Sequence, residues 1–189
     1  MPPGLRELKK QRTRSAIQGA ALDLIDRQGY DATTCEQIAA AAEVSTATFF
    51  RYFPTKEDVV LTDDYDPMIT YAITSRPQAE GPLQATRRGL ARVLGDLDDD
   101  EMAIVRARTA LLLSVPALRS RLQEQMSSTR FAFASAFAPR LGKDPTQMEV
   151  QVLAAACAAA LSVAIETWAN SQRELTRTVD EALAALEGF

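Results

Sequence analysis

Residues 44 to 60 read VSTATFFRYFPTKEDVV. Hydroxyls at Ser45, Thr46 and Thr48, rings at Phe49, Phe50, Tyr52 and Phe53, and a cation at Lys56 crowd into this stretch. In a helix, Phe49 and Phe53 are four apart and share a face with Ser45. Thr46, Ala47 and Phe50 share a second wedge, flanked by Thr48 and Tyr52. Threonine, alanine and phenylalanine can all meet a thymine methyl group in a major groove, and a threonine hydroxyl can hydrogen-bond to a base edge. Ser45 stands at the helix start, and Thr48, Tyr52 and Lys56 carry donors suited to phosphate. The N-terminal arm adds Arg6, Lys9, Lys10, Arg12 and Arg14 against one carboxylate, Glu7. Such a run is often a solvated tail. Its place before the aromatic stretch favours a DNA backbone or minor groove, with Arg12 and Arg14 as contacts.

Other chemistries lack their residues. The 189-residue chain has no histidine. That removes the commonest general base and the commonest metal ligand. Asp63, Asp64 and Asp66, and the run from Asp98 to Glu101, read as solvated turns with no nucleophile–base pair beside them. No enzyme and no cofactor is expected. Cys35 and Cys157 form no metal or disulfide spacing, which fits a reducing cytoplasm. Cys35 reads as a small apolar residue, with a redox role left open. The net charge of −4 gives no overall basic excess. The N-terminus has no apolar run of a secretory signal. The run VLAAACAAALSVAI, at 152 to 165, falls short of the ~20 residues that cross a bilayer, so no membrane partner is expected.

The positioning elements read as helices throughout. Ile17, Ala20, Ala21, Leu24 and Ile25 lie on one face of a first helix, which Gly29 ends. A second helix opens at TTCEQ, where Thr33 with Glu36 or Thr34 with Gln37 makes a capping box. The N-terminus of that helix, at Thr34, would aim backbone N–H groups at a phosphate. Ala42, Glu43 and Val44 then lead to Ser45, the N-cap of a third helix that Pro54 stops. Two helices joined by so tight a turn have helix-turn-helix spacing, which an ordinary αα-hairpin shares. Six further helices are expected: about 56 to 75, with a possible break at Pro67; 82 to 97; 101 to 114; a long one ending before Pro139; one from Pro145 to about 170; and 175 to 186. The chain is thus expected to be all-α, with a head at 1–55 and a body at 56–189.

TTCEQIAAAAEVSTATFFRYFPTKEDVV resembles the DNA-binding head of the TetR family of bacterial transcriptional repressors, whose pattern is roughly IA..AGVS.GTLYRYFP.KE.L. The match runs through Thr34, Ile38, Ala39, Ala42, Val44, Ser45, Thr48, Arg51, Tyr52, Phe53, Pro54, Lys56 and Glu57. It departs at Glu43, Ala47 and Phe50, where the family has Gly, Gly and Tyr. Glu43 would strain a turn that suits glycine, and Phe50 lacks a hydroxyl for DNA. FPTKEDVVLTDDYDP and VPALRSRL also resemble an actinobacterial subgroup, some of whose members respond to acyl-CoA esters; Arg106, Arg119 and Arg121 bear on that resemblance.

The resemblance implies a homodimer of all-helical subunits on an inverted-repeat operator in double-stranded DNA. It also implies a body pocket for a small-molecule effector, an acyl-CoA or another hydrophobic compound. Candidate pocket residues are Tyr65, Ile69, Met102, Arg106, Phe131 and Trp168. Candidate interface residues on the last two helices are Leu153, Cys157, Leu161 and Leu183. An apolar surface on every side of 152 to 165 independently asks for cover all round. The expected mode is a repressor that its effector releases. A co-repressed regulator and a ligand-independent helical interaction module are the alternatives.

Overall fold

Short caps and left-handed residues divide the N-terminal third. In the computed structural model, which describes residues 5–62 and 65–188, α1 is Leu5–Gln28, α2 Cys35–Ala41 and α3 Thr46–Tyr52. Gly29 closes α1 at φ 83°, and its N–H donates to the Ile25 carbonyl across 2.8 Å. Of the two possible capping boxes, Thr34 with Gln37 forms. Thr33 is buried instead and donates its hydroxyl to the Gly29 carbonyl. Ser45 caps α3 by accepting from the Thr48 N–H at 3.0 Å. Phe53 leaves the helix in extended geometry before Pro54, as a residue preceding proline prefers.

These three helices close on Ile17, Ala21, Ile38, Ala39, Phe49 and Phe53, all essentially inaccessible to solvent. Each buried phenylalanine contributes roughly 1.5–3 kcal/mol by leaving water. Val59 from α4, Lys56–Leu61, joins the same core. Its neighbours Val60 and Leu61 pack with Ile25, Tyr30, Leu112 and Leu118. Helix α4 therefore touches both the head core and the packing beyond it.

The body continues with α5 Tyr65–Thr74, α6 Pro82–Gly95, α7 Asp99–Ser114, α8 Pro116–Leu141, α9 Met148–Ala169 and α10 Leu175–Ala184, then a 3-10 turn, Ala185–Gly188. Among the described residues all regular structure is helical. Seven α-helices follow residue 55, where the sequence suggested six. The additional helix arises because α4 ends at Leu61, with Thr62 extended, well before Pro67. Pro67 lies in the first turn of α5, where its missing N–H has no intrahelical partner to lose. Pro139 does not stop α8 either, which runs to Leu141 and ends at Gly142, φ 61°. Buried Phe137 and Ala138 hold that turn in the core, and Arg140 is drawn onto the carbonyls of Ile73, Arg76, Pro77 and Glu80. Residues 144 to 147 form a turn, so α9 starts three residues after Pro145.

Helix α9 lies against α8 and α10 and buries Val150, Ala154, Cys157, Ala158, Ala164 and Trp168. With 22 residues and an 18-residue window of mean hydropathy 1.9, it is long and apolar enough to cross a membrane by length and composition alone. The apolar run at 152 to 165 is extended within the helix by Met148, Val150 and Trp168. Helices α5 and α6 approach so closely that a Cβ on Gly89 would stand 2.3 Å from the Ala72 carbonyl oxygen. That contact seats Leu90 and Ile69 beside a cavity in the body.

Candidate nucleic-acid interface and effector cavity

Helix α3 is anchored by two rings and leaves its opening turn in solvent. Phe49 and Phe53 are fully buried, with centroids 6.2 Å apart. Thr46 and Ala47 are exposed, and Phe50 is 45% exposed. Phe50 meets Phe49 edge-to-face at 5.3 Å, so the outer ring is braced by the inner one. Thr48 is half-buried, its hydroxyl 2.8 Å from that of Ser45. The Tyr52 ring leans on the head core with the Arg51 guanidinium 5.5 Å from its centre. Arg14 reaches over Phe53 at 5.4 Å, and Arg12 is exposed on the same helix. Thr34 closes its own cap, so Gln37 already occupies the Thr34 N–H at 2.9 Å.

Glu43 adopts φ 54° in the turn between α2 and α3. This is the left-handed region, where a side chain costs roughly 1–2 kcal/mol. The strain that the sequence suggested for this position is present.

Lys56 differs from its expected outward course. Its ammonium donates to the carbonyls of Tyr30 at 2.7 Å and Thr33 at 3.0 Å, and lies 4.1 Å from the Tyr30 ring centre. Two of its three donors are thus engaged within the head. Beside it the Tyr30 hydroxyl donates to Glu57 at 2.5 Å. That bond holds the Glu57 carboxyl below its ordinary range, while burial and the same carboxylate push the Tyr30 phenol up. The start of α4 is therefore latched to the connection between α1 and α2. Burial also raises the Cys35 thiol, which disfavours the reactive thiolate.

The end of α4 is tied from the other side. Arg108 on α7, buried, donates Nε to the Val60 carbonyl at 2.6 Å and Nη2 to the Leu61 carbonyl at 3.1 Å. Arg108 also lines a cavity of about 180 Å³, partly open to solvent, with walls from α5, α6, α7, α8, α9 and α10. Its walls are mainly apolar, from Ile69, Leu90, Val105, Leu112, Leu161 and Trp168. Asp66, Thr109, Thr129, Ser162 and Glu166 supply the polar points beside Arg108.

Two of the expected pocket residues, Ile69 and Trp168, line this cavity. Met102 packs on the body core away from the lining. Arg106 stacks 4.2 Å from the Trp168 ring and donates to the Trp168 and Ser171 carbonyls, so it supports the wall from behind. Phe131 faces outward at 67% exposure and cannot reach the cavity. The Tyr65 and Arg121 side chains lie outside the described residues, as do Asp63 and Asp64. Arg119 is exposed. Sequence reasoning passed over Arg108, although Val105, Arg108, Thr109 and Leu112 at offsets 0, 3, 4 and 7 signalled a cation on an inward face.

The interface expectations need a correction as well. Cys157 and Leu183 are completely buried in the subunit's own core, and burial pushes the Cys157 thiol up to about 12. Leu153 is half-buried and Leu161 faces the cavity. The apolar face that α9 leaves open is instead Met148, Val152, Ala155, Ala159 and Val163. The all-apolar helix gave no local signal of which side its own subunit would cover.

Residues 17–62 match the family model described as bacterial regulatory proteins, tetR family. Residues 80–188, more than half of the chain, match the TetR C-terminal model described as the MftR C-terminal domain.

The chain belongs to the TetR family of transcriptional regulators.

Among its TetR relatives, TcmR of Streptomyces glaucescens is 38% identical over 149 residues, covering 75% of this chain and 66% of TcmR. YuxN of Bacillus subtilis is 30% identical over 84 residues, covering 43% of this chain and 28% of YuxN. The chain thus spans less than two thirds of the length of these relatives. FadR of Thermus thermophilus, a TetR-family repressor solved with lauroyl-CoA, is 25% identical with a TM-score of 0.57, covering 92% of this chain and 93% of that one. SmeT, solved with triclosan, is 20% identical with a TM-score of 0.62, covering 92% and 91%, a likeness of fold alone. These TetR relatives are regulators and not enzymes.

Proposed function

We propose that this TetR-family chain is a homodimeric repressor in the bacterial cytoplasm, released from an inverted-repeat DNA operator by a small apolar or amphiphilic effector. The observation that carries the reading is α3, whose inner face is locked by Phe49 and Phe53 while Thr46, Ala47 and Phe50 stand in solvent. That arrangement suits insertion of the opening turn into a major groove. Ser45, Thr48, Tyr52, Thr34 and the arm residues Arg12 and Arg14 surround it as phosphate contacts. Lys56 keeps one donor for the same task while holding the loop that leads to Thr34.

Dimerisation is supported by the open stripe of Met148, Val152, Ala155, Ala159 and Val163 on α9. An exposed apolar row on a helix is a natural site for a second copy. Two α3 helices would then meet major grooves ~34 Å apart. The apolar cavity supports the reading of an effector site, and the related FadR is solved with lauroyl-CoA. A filled cavity presses on Arg108, Arg108 holds the end of α4, and the start of α4 holds the head. Selection of bound duplexes from a random pool tests the reading. An enriched inverted repeat is expected, and no enrichment over the starting pool contradicts it.

A further inference from the structure

The polar points of the cavity are mostly acceptors. Asp66 on α5 and Glu166 on α9 place two carboxylates in its lining. Asp66 accepts from the hydroxyls of Ser128 and Thr129, the latter at 2.9 Å. Glu166, exposed at the rim, has no partner for its carboxylate among the described residues. Several donors of the wall are committed to the protein itself. Arg108 points Nε and Nη2 at the carbonyls of α4. Thr109 donates to the Val105 carbonyl at 2.8 Å. Ser162 adds one hydroxyl.

Size narrows the ligand further. The cavity measures about 180 Å³, whereas an apolar cavity of about 150 Å³ takes up benzene. A molecule of one or two rings fills a space of this size. A carboxylate or phosphate brought to these walls would face the Asp66 and Glu166 carboxylates, while the Arg108 guanidinium is already committed to the α4 carbonyls. An ammonium or a hydroxyl would find acceptors.

We propose that the cavity binds a compact apolar molecule of one or two rings bearing a hydrogen-bond donor, an ammonium above all, through Asp66 and Glu166, and that it rejects carboxylates and CoA esters. This rests on reading the cavity as the effector site.

Calorimetric titration of the full chain with 2-(aminomethyl)naphthalene, 2-naphthol, 2-naphthoate and lauroyl-CoA tests it. The amine should bind more tightly than naphthoate by at least about tenfold, with naphthol between them. Asp66→Asn combined with Glu166→Gln should shrink the amine-to-naphthoate ratio below about threefold and leave naphthol binding in place. Glu166→Gln alone, at the exposed rim, should lower the ratio without a risk to folding. Naphthoate or lauroyl-CoA binding as tightly as the amine overturns the proposal, as does a ratio that the variants leave unchanged or the absence of binding by all four probes. Adding the amine to the protein–DNA complex separates the two readings. Amine binding with unchanged DNA affinity upholds the ligand class and refutes the effector role.

Discussion

Arg108 and Val60 are joined by a 2.6 Å hydrogen bond from a guanidinium in the cavity wall to a carbonyl in the last turn of α4. A second bond goes to Leu61, and together with the Gln18 amide, which donates to the Val59 and Thr62 carbonyls, it covers the C-terminal carbonyls of α4. Through α4 the cavity lies one short helix away from Lys56 and Glu57, which hold the head.

Arg108→Met should remove both bonds. A buried carbonyl left without its donor costs about 1–3 kcal/mol. Denaturant unfolding should show a loss of at least ~2 kcal/mol, and amide exchange in α4 should quicken. Arg108→Lys should restore part of the loss. An unchanged midpoint with unchanged exchange would show that the cap does not hold α4.

Glu43→Gly should raise stability. The left-handed backbone at φ 54° penalises any side chain, and glycine relieves it at the expense of a more flexible unfolded chain. The net gain should be up to ~1 kcal/mol in thermal or denaturant unfolding. A loss of stability would mean that the Glu43 side chain makes a compensating contact in solution.

The DNA contacts should separate by type. Thr46→Val should change preference at one operator position by roughly 1–3 kcal/mol and leave other positions alone. Lys56→Ala should weaken binding to all sequences and reduce the salt slope by about one. It should also lower the melting temperature, because Tyr30 and Thr33 lose a donor. A uniform loss for Thr46→Val would remove its role as a reader. An unchanged slope for Lys56→Ala would confine that residue to structure.

Acid should expose the Glu80 cluster. Hydrogen bonds from Arg76, and then Arg88, hold the Glu80 carboxyl down at about 2. The unfolded carboxyl titrates near ~4.3. A depressed folded value means the stabilisation is present above ~4.3 and is lost as pH falls towards 2. The difference in melting temperature between wild type and Glu80→Gln should therefore be constant above about pH 5 and shrink below it. A difference that stays constant down to pH 3 would contradict the linkage.

The features legible in the sequence were those set by neighbours along the chain. Thr34 with Gln37, Ser45 with Thr48, and Gly29 each define a helix end within four residues, and each stands where the sequence indicated. The inward pair Phe49 and Phe53 follows from helical spacing alone. Features decided by distant partners were not legible. Pro139 looks like a stop until Arg140 is found on carbonyls more than sixty residues away. Nothing near Lys56 along the chain shows that Tyr30 and Thr33, more than twenty residues away, take up two of its three donors. Cys157 is an apolar residue on a helix apolar enough to face either side, and only packing shows that the subunit itself encloses it.

Half-site spacing tests the central claim most directly. The duplex enriched by selection is titrated by fluorescence anisotropy, then compared with versions carrying five or ten inserted base pairs between the half-sites. A dimer with two α3 helices on one face of the duplex predicts that half a helical turn, ~5 base pairs, abolishes tight binding because one head then faces away. Equal affinity for the original and the five-base-pair insertion would contradict a symmetric dimer reading two successive grooves.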